Sequence, residues 1–127
     1  MKHTVIAAIA LLLAPAATMA QVVAPIQSSG AAEGSHIFCG GNCTLRGLTV
    51  VTGASAGFVL VFNQNSDPAN GAVVPTLCLP VGASSMVNWQ PSSAAYFANG
   101  LTIAFSTGAN CFTKTESATA VFAAQAK

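Results

Sequence analysis

The sequence predicts an all-β protein, an antiparallel β-sandwich or a jelly-roll-like barrel, preceded by an N-terminal signal-peptide helix. Short apolar segments recur about every ten residues with turn residues between them, as in sandwiches and barrels. Several of these segments alternate with period two, and no amphipathic helix pattern longer than two turns follows the N-terminal segment. The chain is 53% hydrophobic and 6% charged, whereas an average domain has roughly 25% charged residues. This composition excludes disorder, and four Lys plus Arg are too few for a nucleic-acid-binding face.

Residues 1–20 have the pattern of a secretory signal peptide. Lys2 supplies a basic start, residues 5–14 carry no polar side chain, and small residues stand at Thr18 and Ala20. The alternative is an uncleaved membrane anchor, but Pro15 and Gln21 interrupt a run that needs about 20 apolar residues to span a bilayer. We therefore expect a secreted or periplasmic protein with no membrane contact after cleavage, or alternatively a virion component.

The exported part divides into an arm and one domain. Residues 21–35 are small, polar and interrupted by Pro25, Gly30 and Gly34, which predicts a flexible N-terminal arm. Residues 36–127 are long enough for a single β-sandwich domain.

The strands follow in order along this domain. Residues 48–52 predict a short strand, and residues 57–63 are apolar on both faces, as in a strand covered on both sides. Turn residues make 65–71 a loop, and prolines at positions 75 and 80 make 73–81 an edge strand. Residues 85–90 largely alternate between polar and apolar side chains, which predicts another strand. Asn99-Gly100 predicts a hairpin between strands at 96–98 and 101–105, and residues 118–123 form the last strand.

All four cysteines lie in the exported part, where an even number indicates disulfides with three possible connectivities. We prefer Cys39–Cys43, because these residues share one Gly-Gly turn. The second pair is then Cys78–Cys111, because each of these residues lies beside an apolar strand-like run.

Two motifs could carry chemistry, but neither has the context it needs. Residues 53–57 read G-x-S-x-G around Ser55, yet a nucleophile elbow requires a helix after it, and here a strand-like run follows. We interpret this segment as a hairpin turn. His36, Cys39 and Cys43 have a spacing that could place three metal ligands together, but no further pair completes a zinc site and no His lies near Cys111 for blue copper. We expect no metal and no cofactor.

The remaining candidates are carboxylates and aromatic residues. Glu33, Asp67 and Glu116 are the three acidic residues. Asp67 is typical of a turn in which Asp bonds its own backbone, and Glu116 can pair with Lys114. We expect no catalytic residue and no enzymatic activity. Trp89 and Tyr96 form a possible contact surface, although a Trp in a strand is often part of the core.

Residues 58–75, 78–80, 96–106 and 111–119 together resemble a group of small β-sandwich proteins encoded by tailed bacteriophages and prophages and thought to belong to the virion. The resemblance covers about residues 47–122. It implies a structural or decoration role with a Cys78–Cys111 pairing, and it transfers no active site. The export signal and the Cys39/Cys43 pair are departures from this group.

Charge completes the functional expectation. After residue 20, three basic and three acidic residues remain, and positions 68–113 carry no charge over 46 residues. Such neutrality favours association. We expect a non-enzymatic structural or interaction protein: a phage virion decoration or surface protein, or an exported relative. It would act by self-association as a homo-oligomer or by binding a virion or cell-surface protein, and not nucleic acid. The alternatives are a pilus-type subunit or adhesin, whose sheet would leave a groove for a donor strand, and a small periplasmic binding or inhibitor protein.

Overall fold

The computed structural model describes residues 25–127, so the signal peptide at 1–20 and the first residues of the arm lie outside the described residues. This part of the chain is all-β and contains no helix. Its strands are β1 Ile26–Ser28, β2 Ser35–Cys39, β3 Cys43–Thr52, β4 Gly57–Phe62, β5 Gly71–Ala72, β6 Leu77–Val81, β7 Met86–Trp89, β8 Ala95–Phe97, β9 Leu101–Ser106, β10 Thr113–Lys114 and β11 Ala120–Ala126.

The strands form two main antiparallel sheets. The first sheet has the order β1-β11-β3-β7, and β8 also pairs with β3 beyond the end of β7. The second sheet has the order β2-β9-β4-β6. The short strands β5 and β10 make a separate two-stranded ribbon.

One hydrophobic cluster joins the two sheets. In β11 every second residue is buried, as expected for a strand with one covered face. Burial alternates in β3 as well, except between Leu45 and Leu48, where the register with β11 shifts. The buried residues of the first sheet meet those of the second, and the fully or nearly fully buried members include Leu45, Leu48, Val50, Phe122, Val59, Val61, Leu101, Ile103 and Phe105. The inner faces of both sheets therefore share a single core.

The second sheet is buried on its outer face as well. All six residues of β9 are buried, as are the last four of β4. Leu60, Phe62 and Ala104 form a second small cluster there, with Val73 packed against it. This outer face is covered by three parts of the chain: the loop at 63–76, the β5–β10 ribbon and residues 107–117. Together we call them the covering layer. The prediction that residues 57–63 form a strand covered on both sides is confirmed.

The predicted hairpin at Asn99-Gly100 is wrong. β8 pairs with β3 in the first sheet, whereas β9 pairs with β2 and β4 in the second. A two-residue type I′ hairpin needs positive φ at both central residues, and here only Gly100 has it, at +119°. The Asn99 backbone N–H donates instead to Oδ1 of Asn63 at 3.0 Å. The turn carries the chain from one sheet to the other.

Other elements differ in extent. The strand predicted at 48–52 begins at Cys43, and the edge strand predicted at 73–81 is confined to β6, which lies at the edge as expected. Within the predicted N-terminal arm, β1 pairs with β11. The backbone N–H groups of Ser29 and Glu33 donate to Phe122 and Ala120, so the described part of the arm borders the first sheet.

Candidate functional site

The outward side of the first sheet is a surface without a covering layer, and we call it the outer face. Cross-strand partners share one side of a sheet, so the register defines its rows. Val51 lies between Met86 and Val121, and the next row places Thr49 between Asn88 and Ala123. The Thr49 hydroxyl bonds to Oδ1 of Asn88 across the strands. The middle of this face consists of apolar, hydroxyl and amide side chains.

Several of these side chains are strongly exposed. The exposed fraction is 47% for Val51, 57% for Met86, 65% for Tyr96 and 77% for Ile26. At the β1 end, a shallow depression lies over Gly47, bordered by Ile26, Thr49 and Gln90. Exposed apolar groups gathered on one face mark interaction sites more often than single scattered ones do.

The two aromatic residues proposed from the sequence as a contact surface lie on opposite sides of the first sheet. Tyr96 pairs with Thr44 and points outward. Trp89 pairs with Leu48, is only partly buried, and packs against the main core. The structure therefore brings Tyr96, and not Trp89, to the outer face.

A charge cluster lies within the covering layer, on the outer side of the second sheet. The Lys114 side chain is 0% exposed. Its Nζ donates to Oδ1 and Oδ2 of Asp67, each at 2.8 Å, to Oε2 of Glu116 at 2.8 Å and to the carbonyl oxygen of Pro68 at 2.6 Å. The two carboxylates are about one-third exposed, at 32% and 34%. We call Lys114, Asp67 and Glu116 the lysine cluster.

The third carboxylate lies beside this cluster. Glu33 Oε1 is 2.6 Å from Nδ1 of His36, whose ring packs edge-on against Phe38 with centroids 4.6 Å apart. Gly34, which lies between Glu33 and His36 in the sequence, is directly against the Glu116 side chain. A side chain at position 34 would collide with Glu116. The absence of a Cβ at Gly34 thus makes room for Glu116.

Of the carboxylate predictions, the Glu116–Lys114 pair is confirmed. Asp67 does not bond its own turn as expected, because both of its oxygens accept from Lys114. No local sequence pattern predicts this contact, since 47 positions separate the two residues.

The remaining motifs occupy structural positions. Cys39–Cys43 and Cys78–Cys111 form disulfides, so the preferred connectivity is confirmed. Within residues 25–127 no group of three metal-ligating side chains comes together. Ser55 lies between β3 and β4, which belong to different sheets, so its segment is an inter-sheet connection followed by a strand and not a hairpin turn.

The disulfides indicate an oxidising environment, such as the periplasm or the extracellular space. In the part of the chain that the structure describes, no helix has the length and hydropathy required to span a membrane. Comparison with known proteins gives no match: no family model fits the chain, and no curated protein or solved structure is significantly similar to it.

Proposed function

We propose that this chain is a non-enzymatic β-sandwich protein that acts by association, and that its outer face docks on a second copy of the same chain. The observation that carries this proposal is the outer face itself, where Val51, Met86 and Tyr96 are about half exposed or more beside uncharged polar neighbours. An exported surface component, or a decoration component of virion type, is the role that fits such a surface.

A second copy is the occupant that the charges favour. Exported residues carry three positive and three negative side chains, and four of these six are engaged in pairs away from the outer face, Lys114 with Asp67 and Glu116, and Glu33 with His36. The other two charges, Arg46 and Lys127, lie in or beside β3 toward its Tyr96 end. The rows around Val51 and Thr49 carry no charged residue, so they offer no charge to attract a basic or acidic partner and none to repel a second copy. A two-fold arrangement would place equivalent apolar rows against each other.

The carboxylates also support a non-enzymatic role. Each of the three has a cationic or histidine partner within 2.8 Å, so their positions are explained by pairing inside the fold. A glycosidase-type mechanism would instead need two carboxyl groups facing a substrate cleft.

The pilus-type alternative is less well supported. A donor-strand subunit needs an open sheet edge for a strand from its neighbour. Here the chain's own arm runs along β11 through β1, Ser29 and Glu33, so the β11 side of the first sheet is occupied within one copy.

The test is the mass in solution of the oxidised mature chain. Sedimentation equilibrium over a range of concentrations should give a dimer or a larger assembly. Val51→Lys places a charge in the outer face and should shift the protein toward monomer. Val74→Lys is the matched control, because Val74 is 85% exposed and lies in the covering layer, and it should behave like wild type. A wild-type monomer at high concentration, or equal behaviour of the two variants, contradicts the proposal.

A further inference from the structure

The lysine cluster holds a primary amine and two carboxyl groups in direct contact inside the fold. Nζ of Lys114 is equidistant from both oxygens of Asp67, at 2.8 Å, and the same distance from Oε2 of Glu116. The Lys114 side chain has no exposed surface, so solvent does not compete for its nitrogen.

We propose that Lys114 and Asp67 condense to an intramolecular amide bond, with Glu116 as the catalytic group that transfers the proton. The site is thereby a self-modification site whose substrate is the chain's own Asp67 side chain. No external reactant is needed, because an ammonium and a carboxylate together contain all the atoms of an amide and one water.

The distances place the reacting atoms within reach. A nitrogen equidistant from both carboxylate oxygens at hydrogen-bond distance lies roughly 3 Å from the carboxyl carbon, the separation at which positioned groups react. Attack requires only that the Asp67 carboxyl turn its face toward Nζ. The proton-transfer group is already in contact with the same nitrogen.

The bonds and protons balance in two stages. One proton passes from the Lys114 ammonium to the Asp67 carboxylate, which makes both groups neutral. The nitrogen lone pair then forms the N–Cγ bond. Glu116 takes a second proton from nitrogen and delivers it to the departing Asp67 hydroxyl. The Cγ–O bond breaks, one water leaves, and Glu116 is regenerated.

The backbone around the cluster fixes all three side chains. Lys114 lies in β10, which pairs with β5 and begins two residues after Cys111 of the Cys78–Cys111 disulfide. The backbone N–H of Glu116 donates to Oδ1 of Asn70, which ties residue 116 to the loop that carries Asp67. Such fixed positions convert a reaction between two separate groups into one between neighbours.

Glu116 differs from Glu33 in the contact it makes. Glu116 reaches the reacting nitrogen, whereas Glu33 bonds to Nδ1 of His36. Gly34 provides the space that the Glu116 side chain occupies. Glu33 therefore offers a matched control: it is a carboxylate in the same region that has no part in the reaction.

The bond is measured by mass spectrometry of the folded, aged protein after reduction and denaturation. We expect an intact mass one water below the sequence mass, a difference of about 18 Da. Trypsin provides a second readout, because it cleaves after Lys114 only when the amine is free. Amide formation removes this cleavage and yields residues 47–127 as one peptide lacking a water, in place of the separate peptides 47–114 and 115–127.

Three variants assign the roles. Asp67→Ala removes the acceptor and Glu116→Gln removes the proton transfer, so both should keep the full mass and release peptide 115–127. Glu33→Gln should lose water like wild type. Circular dichroism before digestion establishes that each variant is folded. Full mass and free 115–127 in the wild-type protein overturn the proposal whatever the variants do, and water loss in Glu116→Gln at the wild-type rate overturns the role of Glu116.

Discussion

The outer sides of the two sheets differ in whether other parts of the chain cover them. On the first sheet, burial alternates along β3 and β11, and the outward residues remain exposed. On the second sheet, β9 is buried at every position because the covering layer lies over it. The same kind of antiparallel sheet thus presents a free surface on one side of the molecule and an interior on the other.

Polar groups on β9 help to attach the covering layer, beside the apolar contact of Val73 and the Cys78–Cys111 disulfide. Thr102 donates its hydroxyl to the carbonyl oxygen of Gln64 at 2.8 Å, and the Ser106 hydroxyl donates to the carbonyl oxygen of Thr113. Ser106 Oγ also accepts from the backbone N–H groups of Gly108 and Thr115. Buried hydroxyls on β9 therefore satisfy loop backbone groups that water would otherwise solvate.

The largest expected loss of stability is in the shared core. Phe105→Ala removes a side chain with 0% exposure from the inner side of β9, and it should lower the free energy of unfolding by about 3–5 kcal/mol. Urea denaturation measures this loss. Phe112→Ala in the covering layer is the control, since Phe112 is 63% exposed and should change stability by less than about 0.5 kcal/mol. Comparable losses in the two variants would mean that the covering layer is as tightly packed as the core.

The disulfide that closes the longer loop should stabilise the protein more than the one that closes the shorter loop. Cys78–Cys111 joins β6 to the covering layer across 33 positions, whereas Cys39–Cys43 spans only 4. The loop-entropy model gives about 3–4 kcal/mol for the longer loop and about 2 kcal/mol for the shorter. Thermal melts of Cys78→Ala/Cys111→Ala and Cys39→Ala/Cys43→Ala under oxidising conditions should show this order.

Under reducing conditions both double variants should melt close to the reduced wild-type protein, because no disulfide then remains to be lost. A larger loss from the Cys39/Cys43 pair under oxidising conditions would show that native packing around Cys43, which is 4% exposed, outweighs the loop entropy.

The sequence predicted the strands better than their partners. The continuous apolar run at 57–63 predicts a strand covered on both sides, and β4 has this environment. The Asn99-Gly100 turn predicts pairing of its flanking strands, but the actual pairing depends on residues distant along the chain. Asn63 accepts from the Asn99 backbone N–H, and Asn65 and Cys39 lie directly against Gly100. Local turn chemistry does not specify the sheet to which each flanking strand belongs.

Local sequence patterns could not predict the whole lysine cluster for a related reason. Glu116 and Lys114 are two positions apart, so an extended chain places them on one side and their pairing was predictable. Asp67 reaches the same nitrogen only because the loop at 63–76 folds over the second sheet. The position of that loop follows from β9 hydroxyls whose burial the sequence does not reveal, since Thr alternating with apolar residues usually faces water.

The smallest expected effect compares one substitution on the two outer sides. Thr102→Val and Thr49→Val both replace a hydroxyl by a methyl group of similar shape. Thr102 is 0% exposed and bonds to the Gln64 carbonyl, so its loss leaves that carbonyl without this donor and should cost about 1–2 kcal/mol. Thr49 bonds to Asn88 on the exposed outer face, where water replaces the lost partner, and its change should stay within about 0.5 kcal/mol. Equal losses by urea denaturation would mean that water reaches the covered side of β9, and the contrast between the two sheets would then rest on apolar packing alone.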